Sequence, residues 1–176
     1  MALIVEDGTG LPNAESFVSV ADATAYHDAR GHASWAALAS DTQREQALRR
    51  ATGYMEQMYR MRWAGARRDA RQALSWPRYA TPMLDAPGGY GTLPAYYPMD
   101  AVPVVVQQAC AELALRAASA DLSPDLGPQE KSTTVGPISV SYVDGARQTL
   151  KFSAVENMLL PLFGGGGMGA VRVVRA

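Results

Sequence analysis

Two indoles and a run of guanidinium groups are the side chains in this 176-residue sequence whose types and spacing could do chemistry. Arg60-Met-Arg62-Trp63-Ala-Gly-Ala-Arg67-Arg68 is followed, after Arg71, by Gln72-Ala-Leu-Ser-Trp76-Pro77-Arg78. Arginines can hold phosphates while tryptophans stack bases, the combination that grips single-stranded nucleic acid without reading its sequence. On that reading Arg62, Arg67, Arg68 and Arg71 face DNA. A second reading is a helix end whose tryptophans pack on the core and whose arginines are solvated or bonded to backbone, and composition alone favours it. Trp76 and Pro77 are then structural, the indole packed on the core and the proline fixing the chain as it leaves for a long loop.

The charge pattern sharpens the question without settling it. Between Arg44 and Arg78 nine arginines stand against Glu45, Glu56 and Asp69, a local surplus of six, whereas the whole chain carries 16 basic and 17 acidic residues. One face is expected to be basic while the molecule as a whole is nearly neutral. Arginine outnumbers lysine 14 to 2, but a GC-rich genome produces the same bias, so the ratio by itself does not argue for phosphate recognition.

Other constellations lack the context that would give them meaning. Gly164-Gly-Gly-Gly-Met-Gly169 matches the dinucleotide fingerprint by letter, yet only seven residues follow it, too few for the helix and the acidic residue that the mechanism requires. A tether is the expectation. His27, Asp28 and His32 could be read as metal ligands, but no further ligand is implied nearby, and exposed polar residues are expected instead. Cys110 falls on an apolar helical stripe, where an inert buried thiol is the usual outcome. No nucleophile elbow, phosphate-binding loop or zinc-hydrolase pattern occurs, so neither an enzyme nor a cofactor is expected.

The elements that must position these residues are mainly helical. Ser19-Val-Ala-Asp22 offers a capping-box-like start and Gly31 a left-handed stop, predicting a helix at about 20 to 30. Ser40 or Asp41 opens a second, to about residue 60, with Ala47, Ala51, Tyr54, Met55 and Met58 at helical spacing and Glu45/Arg49 and Glu56/Arg60 paired on the wet side. From about 64 to 100 glycines and prolines break every period, which predicts a long irregular loop. Pro103 begins a third helix, to about Ala120, with apolar residues on two stripes. One runs through Val106, Ala109, Cys110, Leu113 and Ala117, the other through Val104, Ala111, Leu115 and Ala118. Such a helix is either central to the domain or meets a neighbouring subunit through the second stripe.

After a polar linker at 121 to 134, Val135 to Val143 and Arg147 to Phe152 are expected to form a β-hairpin, at about 135 to 152, turning at Asp144-Gly145. Ser153-Ala-Val-Glu156 is a capping box for a short helix. The expected fold class is a mainly α small helical bundle with a β-hairpin, a long irregular loop and an extended C-terminal arm. It comprises one domain at 1 to 163 and a glycine-tethered arm at 164 to 176 that presents Val171, Arg172, Val173, Val174 and Arg175.

Composition bounds these readings. Apolar residues make up 48% and charged ones 19%, the balance of a folding chain, and 176 residues suit one core. The lone cysteine excludes an internal disulfide framework. Glu6 and Asp7 stand where a signal peptide would be basic, and no stretch of about 18 mainly apolar residues offers a membrane span, so synthesis in the cytoplasm and no membrane contact are expected.

Val5 to Gly31, Trp35-Ala-Ala-Leu38, Arg62-Trp-Ala-Gly65, Gln72 to Arg78 and Val102 to Ala117 together make the sequence similar to tailed-phage and prophage proteins usually labelled DnaT-like single-strand DNA-binding. These in turn resemble the head-to-tail adaptor, or connector, proteins of long-tailed phages. The resemblance covers nearly the whole chain, Gln72 to Arg78 being its most specific piece. It implies a virion protein of the phage neck, a homo-oligomeric ring of about twelve copies below the portal through which DNA passes. Its partners would be the portal protein, reached by the arm at 171 to 175, and a downstream stopper or tail-completion protein. The second helical stripe would then be the subunit interface. The alternative is a single-strand DNA-binding module built on the arginine/tryptophan segment.

Overall fold

Serine hydroxyls set both of the first long helices. The structure, a computed structural model, describes residues 2–86, 95–125, 132–135, 138–141 and 150–164. Helix α1, Val20–Asp28, begins at Ser19, whose Oγ accepts the Asp22 N–H at 3.0 Å and donates to the Asp22 carboxylate. Gly31 then turns the chain with φ +67°, as expected of a left-handed stop. A short helix that the periodicity did not reveal, α2 at Ala33–Ala36, follows and buries Trp35. Helix α3, Asp41–Tyr59, is capped by Ser40 through the Gln43 N–H.

Between α3 and α4, Val104–Ala117, two-residue strands β1, Ala66–Arg67, and β2, Arg78–Tyr79, pair antiparallel. Pro103 precedes α4 as its cap residue, one position outside the helix, and the helix ends three residues earlier than its pattern suggested. The antiparallel pair β3, Ser132–Val135, and β4, Ile138–Ser141, comes next, with Thr133 opposite Val140. This is a correction of register: the hairpin lies N-terminal to the span expected. In the sequence Gly136-Pro137 stands between two β-branched runs and is itself a turn signal, and Val135 pairs with Ile138 on either side of it. The expected turn at Asp144-Gly145 falls outside the described residues. Helix α5, Ser153–Leu159, and a 3-10 turn at Leu160–Leu162 complete the chain order. Phe152, not Ser153, is the α5 cap, and no side chain caps it; the Glu156 N–H bonds the Phe152 carbonyl instead of a serine hydroxyl.

Helix α4 is central. Its long side meets α3, and α1 and α5 also pack on it. Alanines 109, 111, 114 and 117 are all buried there, which lets neighbouring backbones approach closely. Leu48, Met55, Val106, Leu113, Val155, Leu159 and Leu162 fill the space between helices with no measurable exposure. Burial of such side chains from several directions is the main stabilising term, about 1.5–3 kcal/mol each. No helix among the described residues is long and apolar enough to cross a membrane.

The N-terminal loop is held by a single carboxylate. Glu6 accepts N–H bonds from Gly8 at 2.9 Å, Gly10 at 2.8 Å and Leu11 at 2.9 Å. Gly8 adopts φ +96°, and a Cβ there would lie 2.0 Å from the Asp100 carbonyl oxygen. Arg68 reaches over to donate to the Gly8 carbonyl at 2.6 Å. Residues near 8, 68 and 100 therefore close on one another at the entrance to α4.

Candidate nucleic-acid interface

The arginine/tryptophan segment folds inward. Trp76 is 0% and Trp63 5% exposed, the two rings meeting edge to face at 5.7 Å, with Tyr59 and Phe163 against Trp63. Neither indole offers a free face, so neither can stack a base. Around them the backbone is tied by side chains. Gln72 donates to the Leu74 and Pro77 carbonyls at 2.7 and 3.1 Å and accepts the Asp69 N–H at 2.8 Å. Glu56, reaching from α3, takes the Ser75 N–H at 2.7 Å and its hydroxyl at 2.8 Å.

Arg78 is the buried centre of this knot. Its guanidinium donates to the carbonyls of Ala64, Ser75, Gly65 and Trp63 at 2.8, 3.1, 2.7 and 3.4 Å. Burial pulls its pKa down and the Glu56 charge pulls it back up. Four loop carbonyls thereby gain a donor, Ala64 sharing its oxygen with the Thr81 hydroxyl at 3.1 Å, which fixes an otherwise irregular segment. The Trp76-Pro77 peptide is cis. The expectation that Trp76 and Pro77 are structural is met, since both are buried here.

Three of the four arginines read as DNA-facing are already engaged. Arg67 donates to the Gln72 carbonyl at 3.0 Å, and Arg68 holds Gly8. Arg62 lies over the Phe163 ring at 4.1 Å and pairs with Glu156 at 3.4 Å. Arg71 projects furthest into solvent, its side chain 88% exposed and paired with Asp69 at 3.6 Å, while Arg62 is 42% exposed.

The exposed basic surface lies elsewhere, on α3. Gln46, Arg50, Gly53, Gln57 and Arg60 recur at alternating steps of four and three, so they share one face, and no carboxylate interrupts it. All but the partly covered Gly53 are exposed. Among the described residues neither Arg50 nor Arg60 has a hydrogen bond or ion pair. The expected Glu56/Arg60 pair does not form, because Glu56 is committed to Ser75; Glu45 does pair with Arg49, at 3.3 Å. Beside Arg50 a cavity of about 380 Å³ opens between α3 and the end of α4.

The remaining candidates take different places. His27 is buried, a correction of its expected exposure. It lies 4.6 Å from the Trp35 ring, Nε2 bonds the Ala111 carbonyl at 3.1 Å, and Nδ1 meets Nδ1 of His32 at 2.9 Å. With Nε2 donating to the carbonyl, neutral His27 accepts through Nδ1 and His32 donates. Burial lowers the His27 pKa. Among the described residues no group of three or more histidines, cysteines or carboxylates could hold a metal. Cys110 is buried against Thr52, Sγ to Oγ1 3.3 Å, and burial raises its pKa to about 11.

Of the second α4 stripe, Val104 is 65% exposed, Leu115 and Ala118 are partly buried against the core, and Ala111 is fully buried under α1. The premise of a continuous exposed apolar strip is therefore corrected, because α1 already covers its middle. Residues 171 to 175 lie outside the described residues.

The family description "Putative DnaT-like ssDNA binding protein" matches residues 1–176. No curated protein and no solved structure matches the sequence. Because the family match extends from the first residue to the last, the chain belongs to the DnaT-like ssDNA-binding family.

Proposed function

We propose that the protein binds single-stranded DNA through phosphate contacts made by the outward face of α3. The observation that carries this reading is the pair Arg50 and Arg60, exposed and, among the described residues, unpartnered on a helix face without carboxylates. Ten residues on one helix place their Cα atoms about 15 Å apart along the axis, so both can address one strand. Gln46 and Gln57 add neutral donors to the same face, and Arg71 is available from the neighbouring loop. Contacts of this kind carry no sequence information and weaken with salt. Fluorescence anisotropy of a labelled oligonucleotide across a salt series tests the reading. Replacing both Arg50 and Arg60 by Ala should lower affinity and reduce the slope of log K against log salt by about 1.4. A slope unchanged by the double substitution overturns it.

A second reading is a head-to-tail connector subunit of a tailed phage. In it a ring of copies in the virion neck lies below the portal, passes DNA through its bore and receives a stopper or tail-completion protein beneath. Two observations favour it: the burial of both indoles removes the stacking platform of a dedicated single-strand binder, and Val104 exposes a large apolar side chain at the start of α4. In this reading the arm at 171 to 175 attaches to the portal by strand addition. Native mass spectrometry of the wild type and of Val104→Arg separates the two readings. A ring that the charge disperses supports the connector; a monomer with salt-sensitive DNA binding supports the first reading alone.

A further inference from the structure

We infer that the cavity between α3 and the C-terminal end of α4 receives one unstacked base of the strand whose phosphate Arg50 holds, an assignment that rests on the DNA-binding reading above. The first observation is Gly53. Glycine is among the poorest helix formers, yet it stands in the middle of the 19-residue α3. Its φ is not positive, and a Cβ added to it would meet nothing within 4 Å. Neither backbone geometry nor packing among the described residues accounts for it. What the missing side chain leaves open is the wall of the cavity itself.

The second observation is the lining. Gly53, Tyr54 and Leu122 supply apolar surface, while Arg50, Gln57 and Asp121 supply charge and amide. A volume of about 380 Å³ falls in the range of small-molecule sites and suits a nucleotide-sized guest. Arg50 and Asp121 both line it without forming an ion pair, so the cation remains available to an outside anion. Asp121 repels a phosphate from the interior and accepts from the exocyclic amine of a base. The guest is thereby oriented, base inward and phosphate on Arg50. Cytosine, adenine and guanine carry such an amine and thymine does not, so the pocket disfavours thymine. A duplex hides its bases in the stack, so a site of this form favours the single strand.

The test compares a labelled oligodeoxycytidylate with an abasic oligonucleotide of the same length, which keeps the phosphates and lacks the bases. Wild-type protein should bind the cytidylate about ten-fold more tightly than the abasic strand. Gly53→Leu should fill the cavity and abolish the preference, so that the variant binds the cytidylate and the abasic strand equally, with melting temperature unchanged or raised. Gly53→Ala, the smaller change, should move both readouts in the same directions and serves if the leucine variant does not fold. Equal affinity of the wild type for the two strands, or cytidylate affinity untouched by both substitutions in folded protein, overturns the base pocket while leaving the phosphate reading standing. Failure of the wild type to bind either strand overturns the phosphate reading and the pocket with it.

Discussion

The segment 60–78 and the outer face of α3 are both rich in arginine, and they use it in opposite ways. In the first, Arg67, Arg68 and Arg78 donate to carbonyls of a chain that has left regular structure. In the second, Arg50 stands inside a helix whose backbone groups already bond one another, and neither it nor Arg60, the cap residue, has a side-chain hydrogen bond or ion pair among the described residues. The difference teaches that a cationic side chain is claimed by whichever unsatisfied oxygens lie nearest. Irregular backbone draws arginine inward, and a completed helix leaves it to solvent and to partners.

The comparison can be broken most forcefully at Trp76. Trp76→Ala should destabilise the fold by about 3–5 kcal/mol, because the indole is fully buried among Trp63 and Tyr97. Thermal or denaturant unfolding reads the loss. Folded variant that melts like the wild type but no longer binds oligonucleotide would return the segment to the interface.

Arg78→Ala comes next. Each buried carbonyl deprived of its donor costs about 1–3 kcal/mol, and Ala64 keeps the Thr81 hydroxyl while relaxation or water recovers part of the cost at Ser75, Gly65 and Trp63. A net destabilisation of about 2 kcal/mol or more is expected, with no change in the salt slope of DNA binding. By contrast Arg50→Ala and Arg60→Ala should each change stability by less than about 0.5 kcal/mol and act on affinity alone. If the inner substitution altered the salt slope and the outer ones altered melting, the division between the two regions would be wrong.

The smallest expected effect is at His27, a titratable side chain turned inward and held neutral. Its folded pKa is lowered below the ordinary value of 6.5 by burial, so the unfolded chain takes up a proton first as pH falls. The contribution to stability is fully present above 6.5 and is lost as pH descends toward the lowered folded value. Tyr26 on α1, Arg30 just beyond it, His32 before α2 and Glu112 on α4 surround it, and the bond to the Ala111 carbonyl and then the Glu112 charge oppose the loss. Unfolding free energies measured on either side of this window should differ in the wild type and converge in His27→Gln.

Much of the helical frame was readable from residue types. Ser19, Ser40, Gly31 and Pro103 mark ends because hydroxyls satisfy free N–H groups, glycine accepts a positive φ and proline lacks a donor. The two stripes of α4 announced a helix packed on several sides. What the pattern could not convey is which side chains the loops recruit. Glu56 sits four residues before Arg60 and reads as its partner, but Ser75 competes for it across 19 residues of sequence, and only the fold brings Ser75 there. Helix α2 is too short to show a period, and its burial of Trp35 depends on α1 and His27. The outward face of α3 was visible as charge, yet its freedom depends on the departure of Glu56. Gly53 gave a local signal, a poor helix former inside a long helical pattern, that could have pointed to the cavity beforehand.

The loop gathered on the Glu6 carboxylate has a temporal consequence. Its amides are held from within, but its place against Asp100 and Arg68 exists only once a hundred residues of chain are present. During synthesis the turn at 8 to 11 must therefore wait, while α1 and α3 can begin to form from local contacts. That turn is thus among the last parts to reach its final position. Hydrogen exchange begun soon after refolding should find the amides of Gly8, Gly10 and Leu11 gaining protection later than those of α3.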